Sequence, residues 1–216
     1  AAVQAVAKEP DLRAVVVRGV GRAFCSGIDL KALAENRIPW AFFETWDPAL
    51  TQLERMDAVT IAAINGFAIG GGLQLALACD LRLAVDTAIM SLPAVKDCLI
   101  PGLAPYRLPH LVGWGKAKEL ILLGNQISAP EALSIGLVNW VAPADQFDAR
   151  LAELVEQILG GAPTAARLSK QLINSAAELA LEPFTDAYMK AQRECVDSPD
   201  MKEAQAALRE KRAPRF

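Results

Sequence analysis

Three consecutive glycines, Gly70-Gly71-Gly72, are the residues of this chain whose type and spacing most directly invite chemistry. They separate an apolar β-type run, Val59–Ile64 with its Asn65-Gly66 turn, from an unbroken apolar stretch, Leu73–Cys79. Glycine lacks a Cβ, so it takes unusual φ/ψ and lets another molecule approach the backbone. A helix over Leu73–Cys79 puts free N–H groups and the positive end of its dipole where the glycines open the chain. Such a place holds an anion, or an oxygen that becomes anionic during a reaction. The other reading is a packing crossover in which the glycines only let a helix and a strand come close. This stretch alone leaves both open.

The elements that must position these glycines begin with Ala14–Gly19, a β-branched run that reads as a buried strand. A loop, Gly19–Asp29, follows it with Phe24-Cys25-Ser26-Gly27 at its centre, and Asp29–Leu33 is expected to make one helical turn. Ile38–Met56 has helical spacing but carries Pro48 and aromatics on one side, so a broken or mobile helix is expected. Val59–Ile64 is the second strand and Leu81–Val85 the third, giving a layered βα arrangement around the glycines. Ser91–Pro105, with Pro93, Pro101, Gly102 and Pro105, reads as a long irregular loop, and such loops beside a packed core commonly carry function. From Tyr106 the pattern turns helical. Ser128-Ala-Pro-Glu131 is a capping box, with Glu131 reaching back, and Val138–Val141 is a short strand. Phe147, Leu151, Leu154, Val155, Ile158 and Leu159 recur at helical spacing; Pro163–Ala176 and Phe184–Cys195 repeat the habit. Ser198-Pro199 opens a last helix. Ala1–Glu9 reads as the tail of a helix stopped by Pro10, so a start further upstream is expected.

Composition narrows the class. A chain of 216 residues suits one domain with a sizeable core, alone or with a helical appendage. At 53% hydrophobic it should bury extensively and keep some apolar surface for an oligomer. A net charge of −3, from 22 basic and 25 acidic side chains with no basic run, argues against a nucleic-acid partner. Four scattered cysteines and one histidine, His110, make a zinc site unexpected and point to reduced thiols and a cytoplasmic location. No apolar run reaches transmembrane length, and residues 1–9 do not resemble a signal peptide.

Two glycine-bearing sites thus each follow a strand: Arg22-Ala-Phe-Cys-Ser-Gly-Ile-Asp-Leu-Lys31, and Asn65-Gly-Phe-Ala-Ile-Gly-Gly-Gly-Leu-Gln-Leu-Ala-Leu-Ala-Cys-Asp80. Together they resemble the two signature blocks of the crotonase (enoyl-CoA hydratase/isomerase) superfamily. Ile100-Pro-Gly102, Gly113–Leu120, Ala129–Val138 and Pro199–Arg212 continue the resemblance in order over nearly the whole chain. Against that pattern, the initial strands and most of the first helix are missing. The resemblance implies an α/β fold: a ββα spiral core over residues 1–142 and a helical trimerisation region over 143–216. It implies an acyl-CoA thioester substrate and a homotrimer or dimer of trimers. No metal or redox cofactor is implied, coenzyme A entering only as part of the substrate. Residue by residue, the two backbone donors that polarise the thioester carbonyl fall on Ser26 and Gly71. The backbone of Ile28, Asp29 and Leu30 falls at the CoA adenine, with Ala23, Gly70, Gln74 and Ala94 also among the substrate- and CoA-binding positions. Lys31 or Lys211 would serve the phosphates.

The chain departs from the pattern at the acid–base residues. Hydratases of the family use two glutamates; the first falls on Gln74, which cannot titrate, and the second on Ala94. Some isomerases place a glutamate further along the loop, and that position is Gly102. Among neighbouring groups, Asp97 is an acid–base candidate or a cap, and Cys98 a reactive thiol or a small hydrophobe. Tyr106 is a hydrogen-bond donor to an enolate or an amphipathic residue at a helix start. His110 falls a turn away from the pocket, on a surface. Trp40, Phe42, Phe43 and Trp46 are expected to line the acyl pocket or to serve helix packing. The expected activity is enolate-stabilised acyl-CoA chemistry of isomerase, lyase or atypical hydratase type; the alternative is a binding homologue that has lost catalysis.

Overall fold

Helix α1 (Ala2–Val6) opens the chain in a computed structural model that describes all 216 residues. The β-branched run forms β1 (Ala14–Arg18), and the following loop contains β2 (Ala23–Cys25). Asp29 caps α2 (Leu30–Ala34), its carboxylate accepting the Ala32 N–H at 3.0 Å. Then come α3 (Trp40–Arg55), β3 (Val59–Ile64), β4 (Phe67–Ile69) and α4 (Gly71–Leu77). The glycines lead through α4 into β5 (Leu81–Val85) and β6 (Ile89–Ser91). A single 3₁₀ segment (Pro93–Asp97) separates β6 from α5 (Ala104–Leu123), which is interrupted at Gly113. After α5 follow β7 (Ile127–Ser128), α6 (Ala129–Ser134), β8 (Trp140–Ala142), α7 (Phe147–Leu159), α8 (Pro163–Ser175), α9 (Leu181–Asp197) and α10 (Pro199–Glu210).

Two four-stranded sheets result, in the orders β1-β3-β5-β8 and β2-β4-β6-β7. The pairs β3–β5 and β5–β8 are parallel, and β3 and β5 are the mostly buried apolar strands usual in a parallel sheet covered on both faces. In the second sheet β2–β4 and β4–β6 are parallel and β6–β7 antiparallel. This second sheet is absent from the sequence reading, which leaves β2 and β4 as loop; strands of three residues are too short to display a period. The glycine helix also starts at Gly71, two residues before the apolar run, so its first two residues are backbone alone. Pairing of the last strand begins at Trp140 and not at Val138, because the Val138 N–H still closes the turn after α6 on Ala132 O.

Two compact units are found. The first comprises Ala1–Glu9, Val16–Glu54 and Thr60–Leu151. Its core holds Ile61–Ile64, Leu73, Leu83, Met90 and Leu108, all buried. The Asp80 carboxylate accepts both the N–H (2.7 Å) and the hydroxyl (2.9 Å) of Thr60, fixing the register where β3 and β5 begin. Arg82 is buried with its guanidinium donating to Leu137 O and Cys79 O. Burial holds that guanidinium below the ordinary arginine range, with Cys79 and Asp80 opposing the shift. Ser128 caps α6 as the sequence implies, accepting the Glu131 N–H, but the Glu131 carboxylate turns away to Lys116 at 3.2 Å. A full positive charge outcompetes the neutral N–H for it.

The expected break in α3 does not occur. Proline removes one hydrogen bond and costs a helix interior roughly 3 kcal/mol. Against that, Leu50 and Leu53 are each only 2% exposed, contributing roughly 1.5–3 kcal/mol apiece. Asp47, Thr51 and Glu54, spaced along one helical face, are further bonded to the start of α5. The Leu103 N–H reaches Asp47 Oδ1 (3.1 Å), and the Arg107 guanidinium reaches Thr51 Oγ1 (3.2 Å) and Glu54 Oε2 (3.0 Å). These contacts outweigh the proline and fix α3.

The second unit, Pro10–Val15, Arg55–Val59 and Ala152–Phe216, is mainly helical. Lys170 donates to Ala58 O (2.8 Å), and Arg13 donates to the carbonyls of Leu159 (2.8 Å) and Phe216 (3.1 Å). Ser198 caps α10 through the Met201 N–H. The Arg212 side chain and the Arg215 N–H converge on Glu203.

Candidate active site

The turn between β4 and α4 is one only glycine can make. Gly70 sits at φ 56°, ψ −114°, outside the regions open to side-chain-bearing residues, with its N–H on Ser91 O at 2.8 Å. Gly72 needs its glycine for closeness: a Cβ there would lie 1.9 Å from Cys25 O. Backbone of α4 therefore packs directly on the end of β2, and the two glycine-bearing stretches meet. A Cβ on Gly27 would stand 3.2 Å from Gly71 N, and one on Gly71 would stand 3.7 Å from Gly27 Cα. Both readings of the glycines hold at once: they permit close packing, and the packing brings two backbone segments to one place.

A cavity of about 360 Å3 opens beside that junction. From the β2 loop it takes Cys25 to Leu30, from the β4 turn and α4 it takes Ile69, Gly70, Gly71 and Gln74, and from the loop after β6 it takes Pro93, Ala94, Asp97, Leu99, Ile100 and Gly102. Helix α3 closes the chamber with Phe42, Phe43, Trp46 and Asp47, and Ile38 adds one more apolar residue. Phe42 stacks on Trp46 (centroids 5.9 Å apart) and meets Phe43 edge-on at 5.3 Å, so the aromatic wall is internally fixed. Trp40 is 73% exposed and stands outside the lining.

Gln74 is buried, and its amide oxygen accepts the Trp46 indole N–H at 3.1 Å. That bond occupies the oxygen and leaves the amide NH2 as the donor. Beside it stands Asp47. A Cβ added to Gly102 would lie 2.5 Å from Gln74 Oε1 and 2.8 and 3.0 Å from the two Asp47 carboxylate oxygens. The carboxylate and the amide thus fold over Gly102, filling the space where a side chain would begin.

Of the sequence candidates, Ser26, Ile28, Asp29, Leu30, Gly70, Gly71, Gln74, Ala94 and Asp97 come together around this cavity. Ala23 lies in β2, paired with Phe67, and Lys31 is exposed on α2; neither lines the cavity. Tyr106 is 52% exposed, packs edge-on against His110 (5.3 Å), and lies outside the lining, as does the exposed Cys98. Lys211 belongs to the second unit, exposed in a left-handed conformation at the end of α10, and its assignment rests on resemblance alone. Asp47 is the charged lining residue that sequence reasoning passed over. Its signal was present: it follows Phe43 by four residues on the aromatic side of α3, where the proline after it drew attention instead.

The whole chain, residues 1–216, matches the family model for enoyl-CoA hydratase/isomerase. It is 37% identical over 212 residues to the enoyl-CoA isomerase/hydratase fer4 of Mycosarcoma maydis, covering 96% of this chain and 77% of that protein. It is 36% identical over 211 residues to the short-chain-enoyl-CoA hydratase of Clostridium acetobutylicum, covering 96% and 81%. The crystal structure of an enoyl-CoA hydratase from Bacillus anthracis superimposes with a TM-score of 0.93 at 34% identity, covering all of this chain and 85% of that one. Pseudomonas aeruginosa DspI superimposes at 0.90 with 34% identity, covering 100% and 84%. With the α/β architecture and the glycine junction in place, the chain belongs to the enoyl-CoA hydratase/isomerase family, the crotonase superfamily, as an enzyme acting on acyl-CoA.

Proposed function

We propose that this enzyme carries out enolate chemistry on acyl-CoA thioesters, the thioester oxygen being held by the backbone N–H groups of Ser26 and Gly71. The observation that carries the reading is the contact of the Ser26-Gly27 segment with the first residue of α4 in the wall of an aromatic-lined cavity. Segments packed this closely can offer two donors to one oxygen, and donors held by backbone packing need no reorganisation as negative charge develops. The cavity offers apolar walls to the acyl group, and Phe42, Phe43 and Trp46 suit a bulky or cyclic one. The backbone at Ile28–Leu30 serves the nucleotide end of the thioester, with Ala23 and Lys31 near it in sequence.

The positions that carry glutamate in the family's hydratases and isomerases hold Gln74, Ala94 and Gly102 here. Gln74, with its oxygen occupied by Trp46, orients substrate or water by donating. Isomerisation, cleavage or an atypical hydration therefore fits better than standard hydration. Exposed apolar residues on the C-terminal helices, Ile173, Leu181 and Leu208 among them, support assembly as a trimer or a dimer of trimers. Four free thiols suit a reducing, cytoplasmic setting.

The test is Gly71→Pro, which deletes the N–H while keeping the backbone near helical φ. Losing one such donor lowers turnover by roughly 10²–10³-fold. Turnover is read on a panel of acyl-CoA thioesters with circular dichroism as the check of folding. A folded variant with undiminished turnover would sink the two-donor mechanism. A wild-type protein inert to the whole panel would favour the binding homologue.

A further inference from the structure

We propose that Asp47 is the acid–base group of this site: its carboxylate takes a proton from the acyl α-carbon and returns it. The inference rests on the enolate reading above and supplies the residue that reading lacks. Three observations carry it. First, Asp47 lines the cavity from α3, half-buried, on the same helical face as Phe43. Secondly, its carboxylate occupies the space over Gly102, both oxygens within 3.0 Å of the point where a side chain at that position would start. A side chain at 102 would therefore compete with the Asp47 carboxylate for that space, and glycine at 102 leaves it to Asp47. Thirdly, it stands next to the Gln74 amide, and Gln74 follows Gly71 by three residues on α4, hence one turn, about 5–6 Å, from the donor that would hold the thioester oxygen. The α-carbon is two bonds from that oxygen, and Asp47 lines the same cavity as the two donors.

The step balances without any further reagent. One Asp47 oxygen forms a bond to the α-hydrogen as the C–H bond breaks. The C–H electron pair becomes the new carbon–carbon double bond of the enolate, and the carbonyl pair moves onto the oxygen facing Ser26 and Gly71. The protonated Asp47 then returns the same proton, to the α-carbon or, where the substrate is unsaturated, to the γ-carbon, which completes an isomerisation. Leu103 plays the positioning part: its N–H holds Oδ1 at 3.1 Å, so the carboxylate does not swing out of the chamber. Arg107, bonded to Thr51 and Glu54 one and two turns further along the same face, keeps α3 from rotating.

A purely structural Asp47, anchoring the start of α5 through Leu103, is the competing account, and Asp47→Asn separates the two. Asparagine keeps the acceptor oxygen for Leu103 and the volume, but it cannot take a proton. The assay is exchange of α-hydrogens for deuterium in D2O, followed by mass spectrometry, with phenylacetyl-CoA and butyryl-CoA as probes. The first combines an acidic α-position with an aromatic group suited to the chamber. The expected result is an exchange rate lowered by about 10²–10⁴-fold, the usual span of a general base, with unchanged thermal midpoint and unchanged thioester affinity. Exchange by Asp47→Asn within threefold of wild type would overturn the assignment and leave the enolate reading standing. Retention there combined with loss in Asp97→Asn would transfer the role to Asp97. No exchange by wild type with either thioester would overturn the enolate reading and this assignment with it.

Discussion

Replacing Gly72 by alanine tests whether the junction of the two glycine stretches sets the rate. The added Cβ would stand 1.9 Å from Cys25 O and 2.7 Å from Cys25 C, both backbone atoms that cannot rotate away. Relief requires the first distance to grow to at least 3.0 Å, so α4 and the end of β2 must part by about 1.1 Å in a close-packed interior. Gly71 and Ser26, the proposed donors, flank that contact in the chain and move with it. Oxyanion donors work at about 2.7–3.1 Å, and a misplacement near 1 Å is worth about 10²-fold in rate. Overpacking of this kind also costs roughly 1–3 kcal/mol of stability. The assay measures acyl-CoA turnover per folded molecule, with the folded fraction taken from urea unfolding of the same preparation. The expected outcome is a roughly hundredfold loss in the folded fraction and a midpoint shifted to lower urea. A destabilised Gly72→Ala whose folded fraction turns over within twofold of wild type would refute the argument that this contact positions the donors.

Further outcomes follow from groups outside the chamber. Arg82→Met leaves the Leu137 and Cys79 carbonyls without their buried donor, and urea unfolding should register a loss of about 2–5 kcal/mol; a loss under about 1 kcal/mol would contradict the pairing. The Arg212 guanidinium, joined by the Arg215 N–H, holds the Glu203 carboxyl down to about 2, against an ordinary value of 4.5. Because the folded value is the lower one, this contribution is complete above the ordinary value and fades as pH falls through about 2. A carbon-13 NMR titration of Glu203 should show a midpoint near 2; a midpoint at the ordinary value would show the tail contact to be absent.

The three long strands were legible as continuous β-branched or apolar runs, and the helices with an apolar face because their apolar residues repeat at helical spacing over several turns. The glycines at 70–72 were legible as a special backbone feature, but the stretch alone left packing and anion binding open, and only the resemblance joined them with Gly27. The second sheet was not legible, since β2, β4 and β6 have three residues each and are held by their pairing partners rather than by any pattern of their own. Pro48 misled in the other direction: proline's local cost is readable from sequence, while the compensating contacts of Leu50, Thr51 and Glu54 are tertiary. Asp47 was overlooked for a related reason. Matching positions to a family pattern finds vacancies at 74, 94 and 102, but it is silent about a group that arrives from a different element to fill the same space.

Helix α3 presents Phe42, Phe43, Trp46 and Asp47 from two successive turns, so the wall proposed for the acyl group and the carboxylate beside it belong to one stiff rod. Turning that rod by a single residue position, about 100°, would withdraw all of them together. On the proposed mechanism, breadth of substrate and speed of turnover are for this reason mechanically linked. Any change that re-seats α3 to admit a larger acyl group also re-aims Asp47, and selection on either property drags the other with it. A redesign that seeks a new substrate at an old rate must work off that rod, at lining positions such as Leu99 or Ile100 in the loop after β6.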